Sequence, residues 1–449
     1  MTALPANARV GAPSSLGSCT VEVPAELCPD LVDLGAGEGL LWRSPSLSLL
    51  GIGSAARLDL GGQWAATPNQ EIVARRLGSI GQHPGNDPGT LPPAAGAVAL
   101  GALPYDPGRS GHLVVPRVLV VRAEGLCWVT LAGEPEWARE QARQLRHSPR
   151  QALTRLFSTL TEGRQHGPAP DGFELSTTMA HGDWLRLVER AVAEIENGLF
   201  EKVVLARRVD VRTNRPLAVR EVLARMVALY PSCTIFQMDG FLGASPEVLV
   251  SRCGLEVSSH PLAGTVARSG DAITDDSLVD ALMASPKDRW EHQVVVDAIA
   301  SVLRDVCEKV VVPDRPSVLA LRNVSHLGTP ISGLLRQRGE EGEVLTPSAF
   351  DLAARLQPTP AVGGQPTAAA MEWQKANEGF DRGRYAGPVG WVDSRGDGEW
   401  VLGLRSATVN GDRACLFAGA GIVAGSDPAA ELAETQLKLQ ALLAALVRP

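Results

Sequence analysis

Residues 391–446 read WVDSRGDGEWVLGLRSATVNGDRACLFAGAGIVAGSDPAAELAETQLKLQALLAAL. Three short apolar runs, Trp391–Val392, Trp400–Arg405 and Arg413–Ala418, are separated by Asp, Gly and Asn turn residues. Gaps that short cannot hold a helical crossover, so the runs predict antiparallel strands. The pattern then changes. Asp427–Leu446 carries one proline, Pro428, where a helix tolerates it in its first turn.

The same alternation continues upstream. Strands are expected at Lys202–Val209, Ile235–Ala244, Val248–Ser251, Leu255–Ser258 and Leu319–Val324. Helices are expected where the apolar period is helical. Trp184, Leu187, Val188, Ala191, Val192 and Ile195 form one face, stopped at Asn197-Gly198. Pro216–Leu229, Pro286–Val310 and Thr367–Asn377 read the same way. Nearer the N-terminus, Leu47–Gly51, Ala97–Leu103, Val118–Arg122 and Cys127–Leu131 read as strands, and Glu134–Leu145 and Arg150–Thr161 as helices. Gly81–Pro93 is a loop by composition, and Gly163–Asp171 is a connector. Hairpin clusters punctuated by helices indicate an α+β fold, with antiparallel sheets in a sandwich and helices outside.

The 449 residues carry 42 basic and 50 acidic side chains, a formal charge of −8, with no basic run. Nucleic acid is therefore not an expected partner. Seven cysteines are scattered without a CxxC pair, which fits a reducing cytosol. No secretory signal and no apolar run of membrane-spanning length is visible, so a soluble cytoplasmic protein with no membrane contact is expected.

Two acidic helix faces suggest chemistry. Asp288 and Glu291 are three residues apart, as are Glu431 and Glu434, so each pair shares a face. Carboxylates without a Cys/His cluster suit a hard cation such as magnesium. A solvated face or an ion pair is the competing reading, and Glu434 and Lys438 stand four apart in the favourable order. Lys202 opens an apolar strand; buried, it could serve as a base, whereas a snorkelling strand-end lysine is the simpler alternative. Glu247 sits between a Ser-Pro turn and an apolar strand; enclosure would raise its pKa and make it a proton donor, and a solvent-facing strand residue is the competing reading. Arg405, in an apolar strand, could grip a carboxylate or serve a structural ion pair. Tyr385 and His326 read equally as packed core side chains.

Taken together, these residues fall within motifs that resemble one family from about Asp183 to the C-terminus. The stretches are EKVVLARR (201–208), FLGASPEVLV (241–250), HPLAGTVAR (260–268), LMASPKDRWEH (282–292) and SHLGTP (325–330). LQPTPAVGG (356–364), RYAGPVGWVDSRGDGEWVLGLRSA (384–407) and LFAGAGIVAGSDPAAELAETQLKL (416–439) follow. They resemble the chorismate-utilising enzymes, specifically the isochorismate synthases, whose fold is that of the anthranilate synthase large subunit.

The resemblance implies a magnesium-dependent, reversible conversion of chorismate to isochorismate. It makes Lys202 the base that activates water toward ring C2, and Glu247 the acid at the departing C4 hydroxyl. Glu291 and Glu434 become magnesium ligands, with Asp288 and Glu431 reaching the ion directly or through water. Arg405, Tyr385 and the Gly421 backbone take the enolpyruvyl carboxylate. Gly264, Thr265, His326, Ala361, Leu404 and Lys438 line the site.

Lys202 distinguishes this chain from the ammonia-using relatives, so no glutamine amidotransferase subunit is expected, and a monomer is. Ala361 resembles isochorismate synthases. Gln357 departs from the histidine common before the PTPA motif, which leaves salicylate synthase, forming isochorismate and then eliminating pyruvate, as the alternative. A silent chorismate-binding subunit is a further one, disfavoured by the presence of Lys202 and Glu247. The resemblance divides the chain into a flexible tail (1–20), a variable half of the sandwich (21–165) and a chorismate-binding catalytic region (173–449).

Overall fold

The computed structural model describes residues 16–35, 39–82, 91–161, 169–337 and 346–447. Most of the expected tail, and much of the 81–93 loop and the 163–171 connector, lie outside these residues.

Two large sheets form the centre. Among the described residues one has thirteen strands and the other nine. The first sheet's backbone is the long pairing of Lys202–Thr213 with Arg413–Val423, in register from Lys202 opposite Val423 to Arg212 opposite Arg413. Its neighbours run through Ser406–Asn410, Phe241–Ser245 and Thr234–Met238 into Leu40–Arg43, Leu47–Ile52, Val118–Ala123, Leu126–Gly133 and Gly17–Val23. The second sheet likewise mixes early strands, such as Val98–Ala102, with late ones, such as Pro388–Asp393. Each sheet therefore draws on both halves of the chain.

The sandwich forms because each strand offers an apolar face. Trp42, Phe236 and Phe241 of the first sheet pack with Leu100, Trp391 and Val401 of the second. Outside the first sheet, Ala138, Leu223, Met226 and Leu442 bring helices onto Val120, Ile235 and Leu416. Outside the second, Val295, Ile299 and Phe350 do the same around Val250 and Trp400. Burying each large apolar side chain contributes about 1.5–3 kcal/mol.

Several elements differ from the sequence reading. The helix expected over 286–310 ends at Val306, and Cys307–Val311 is a strand paired with Ile331–Leu335. Consecutive valines favour extended backbone, and Pro313 cannot continue a helix. The run 235–244 is a hairpin folded at Asp239-Gly240, both with positive φ (49° and 75°). The run 319–324 is not one strand: it holds the end of Ser317–Ala320, a turn at 321–323 and the start of Val324–Gly328, two strands that form a small third sheet with Leu262–Ala267. The tail expected through residue 20 gives way to a strand at Gly17, because Cys19, Val21 and Val23 are buried against Leu126–Gly133. The helices Thr67–Gly78, Ala272–Ala284 and Ala349–Leu356 carry no strong signal in the sequence reading.

Candidate active site

The site lies where the chain changes sheets. Phe241–Ser245 belongs to the first sheet and Val248–Cys253 to the second, so Pro246 and Glu247 form the crossing. Gly398–Leu402 and Ser406–Asn410 likewise sit in different sheets, and 403–405 is the return crossing. Arg405 is thus not the strand residue expected; it stands at φ +44° in the link. The two crossings meet where the Leu402 N–H donates to the Glu247 carbonyl at 3.2 Å.

Glu247 is 4% exposed. Burial pushes its carboxyl up to about 7, against the Leu262 N–H and the charges of Lys202, Lys438 and Arg405. That N–H donates to Oε1 at a long 3.4 Å. A carboxyl so held keeps its proton near neutrality and can donate it.

Arg405 is also buried, and burial pulls its guanidinium below its usual range. Its Nη2 donates to His326 Nε2 at 2.9 Å, while Nε and Nη1 have no partner among the described residues. Unpaired buried guanidinium nitrogens are costly unless an anion meets them. His326 is held well below its ordinary pKa by burial and by Arg405 and Lys438, so the ring is neutral. Because Nε2 accepts from Arg405, the proton belongs on Nδ1, 3.1 Å from Thr265 Oγ1. Tyr385 stacks on Phe417, with centroids 5.1 Å apart and planes at 17°.

One cavity, partly open to solvent, joins these groups. Glu247, Arg405, His326, Thr265 and Gly264 line it, as do Tyr385, Leu404 and Ala361. Gly421, Glu291, Glu434 and Lys438 complete the expected residues found there. Lys202, Asp288 and Glu431 do not reach its wall. Lys202 is fully buried behind Glu291, with Nζ 3.0 Å from Glu291 Oε1 but outside hydrogen-bond geometry. Asp288 packs its Cβ beneath Gly264.

Three lysines take up the acidic groups. Lys438 Nζ meets Glu434 Oε1 at 2.6 Å, Lys287 Nζ meets Glu431 Oε1 at 2.9 Å, and Lys202 faces Glu291. Burial, then the neighbouring Glu434, pushes the Glu431 carboxyl up against the pull of Lys287. Among the described residues the four expected metal carboxylates do not converge as an ion-binding group. Three of the four, Glu291, Glu431 and Glu434, are instead held against lysines. The donor chemistry still fits a hard cation, because Glu291 and Glu434 both reach the cavity as oxygen donors. The Gly421 backbone leaves room for that approach. A Cβ there would lie 2.2 Å from Glu291 Oε1 and 3.1 Å from Lys202 Cε.

Sequence reasoning missed Arg382, which lines the cavity and is 5% exposed. It pairs with the buried Glu378 at 2.5 Å and donates to the Val204 and Val362 carbonyls at 2.7 and 2.9 Å. In DRGRYAG it looks like surface charge, and only its position before the RYAG motif could have marked it.

A family model described as chorismate binding enzyme matches residues 24–447. The isochorismate synthase DhbC of Bacillus subtilis (strain 168) is 35% identical over 362 residues, covering 78% of this chain and 80% of that protein. The chain belongs to the chorismate-binding enzymes. Within them it is similar in structure to MenF, the menaquinone-specific isochorismate synthase from Escherichia coli, with a TM-score of 0.78 at 26% identity over 96% of this chain and 95% of that one. Anthranilate synthase component I from Streptococcus pneumoniae TIGR4 shares the fold, with a TM-score of 0.68 at 21% identity over 88% of this chain and 92% of that one. The α+β sandwich with outer helices is therefore the architecture of this family.

Proposed function

We propose that the chain is an isochorismate synthase, converting chorismate reversibly to isochorismate with magnesium. The observation that carries this is Glu247, a buried carboxyl held up to about 7 in one cavity with the unsatisfied guanidinium of Arg405. Hydroxide is a poor leaving group, so the C4 hydroxyl needs a proton as its C–O bond breaks, and Glu247 supplies it. Water is a weak nucleophile, so its attack at ring C2 needs a base; Lys202 is assigned that role, for which its Nζ must turn from Glu291 Oε1, 3.0 Å away behind the wall, into the cavity. The ring double bonds shift as the C2–O bond forms, so one hydroxyl replaces another and the formula is unchanged. Each acid or base step typically contributes ~10²–10⁴-fold.

Arg405, with Tyr385 and the Gly421 backbone, receives the enolpyruvyl carboxylate, and Thr265 and His326 hold Arg405 in place. Glu291 and Glu434 would hold the ion, with Asp288 and Glu431 beside them; bound magnesium neutralises the ring carboxylate and fixes its pose. We further propose that the chain works as a monomer in the cytoplasm.

Product analysis tests this reading. Wild type incubated with chorismate and magnesium is expected to yield isochorismate. Lys202→Ala and Glu247→Gln are each expected to lose turnover while remaining folded. Salicylate and pyruvate as products would move the chain to the salicylate synthases, and undiminished turnover in either variant would overturn the acid–base assignment.

A further inference from the structure

Outside the cavity, two thiols meet that the proposed chemistry does not use. Cys28 Sγ and Cys127 Sγ are 2.7 Å apart across 99 residues of sequence. Cys127 lies on Leu126–Gly133, opposite Val23 of the first strand, and Cys28 ends the short turn Ala25–Leu27 that follows that strand. Both belong to one apolar cluster, with Cys28 6% exposed and Cys127 fully buried. The gap to a disulfide's ~2.05 Å is well under the width of an atom. Arg122, paired with Cys127 in the adjoining strands, reaches the Cys28 carbonyl at 3.5 Å and that of Pro29 at 3.4 Å.

We propose that Cys28 and Cys127 are a redox-responsive pair that a peroxide-class oxidant converts to a disulfide, clasping the turn after the first strand to the sheet. The two thiols are not equivalent. Cys28 is 6% exposed, whereas Cys127 is fully buried on its strand. Cys28 is therefore the sulfur a small oxidant reaches first, and Cys127 is the resolving thiol.

The Cys28 thiolate attacks one peroxide oxygen. The O–O bond breaks, and the departing hydroxide takes a proton to become water, leaving Cys28 as a sulfenic acid. The Cys127 sulfur then attacks the Cys28 sulfur. The S–O bond breaks, and hydroxide leaves with the Cys127 proton as a second water. Two thiols lose two electrons in all, and one peroxide is reduced to two waters. A small oxidant suits the pair, because little of either sulfur faces solvent.

The test treats the full chain with hydrogen peroxide, alkylates remaining thiols and maps the peptides without reduction. The expected result is a linked peptide joining positions 28 and 127, restored to free thiols by dithiothreitol. The oxidised chain is also expected to unfold at higher temperature, since the link closes a long loop of the unfolded chain. Cys28→Ser and Cys127→Ser should each remove both the link and the shift. Should those variants fail to fold, the wild-type map alone decides. Both thiols staying alkylatable after peroxide, or linkage only between other cysteines, would overturn the proposal.

Discussion

Glu247 illustrates how one side chain is tuned by placement. Its carboxyl has an ordinary value of 4.5 and is pushed up to about 7, because burial outweighs the cations around it. A carboxyl with a raised folded pKa binds its proton more tightly in the folded chain than in the unfolded one. Between pH 4.5 and about 7 stability therefore declines as pH rises, and it levels off above. Glu247→Gln is expected to flatten that slope, read from denaturant midpoints at the two ends of the window. The wild-type rate should fall as pH rises through about 7, as the acid loses its proton. A rate that climbs through that range would show that Glu247 does not act as the acid. Lys202 was legible as a strand-opening lysine, but neither its full burial nor its place behind Glu291 was. Nor was the break at Arg405, whose apolar flanks read as continuous strand.

At the scale of elements, helices and strands are positioned so that backbone can approach side chain. The helix Pro286–Val306 starts on Ser285, whose hydroxyl accepts from the Asp288 N–H, and it carries Glu291 to the Gly421 backbone. Gly421→Ala would force that carboxylate aside. We expect weakened magnesium binding by calorimetry and turnover reduced at least ~10-fold, for an overpacking cost of about 1–3 kcal/mol. Unchanged magnesium affinity would show that Glu291 does not need this cradle. Far from the cavity, Ser348 forms a capping box with Asp351 at the start of Ala349–Leu356. Ser348→Ala is expected to cost about 1 kcal/mol in denaturant unfolding and to leave the rate unchanged. That helix escaped the sequence reading because its eight residues give too few turns to show a period.

For the whole molecule, the acidic groups are balanced internally by Lys202, Lys287 and Lys438. Uncompensated buried carboxylates would be strongly destabilising, but paired ones are not. Chelation of magnesium is therefore expected to abolish turnover while shifting the thermal midpoint little; cooperative unfolding on adding a chelator would show that the ion holds the fold together. Residue patterns by themselves determined several of the hairpins, most of the long helices, the sandwich class and which polar residues stand among apolar neighbours. These follow from spacing within a few residues, where side-chain period and turn chemistry act. Only the tertiary structure decided that Glu247 and Arg405 occupy crossings between sheets, that Arg382 is buried rather than surface charge, and that Cys28 meets Cys127. Those placements depend on which strands become neighbours across hundreds of residues, and local periodicity carries no record of that choice.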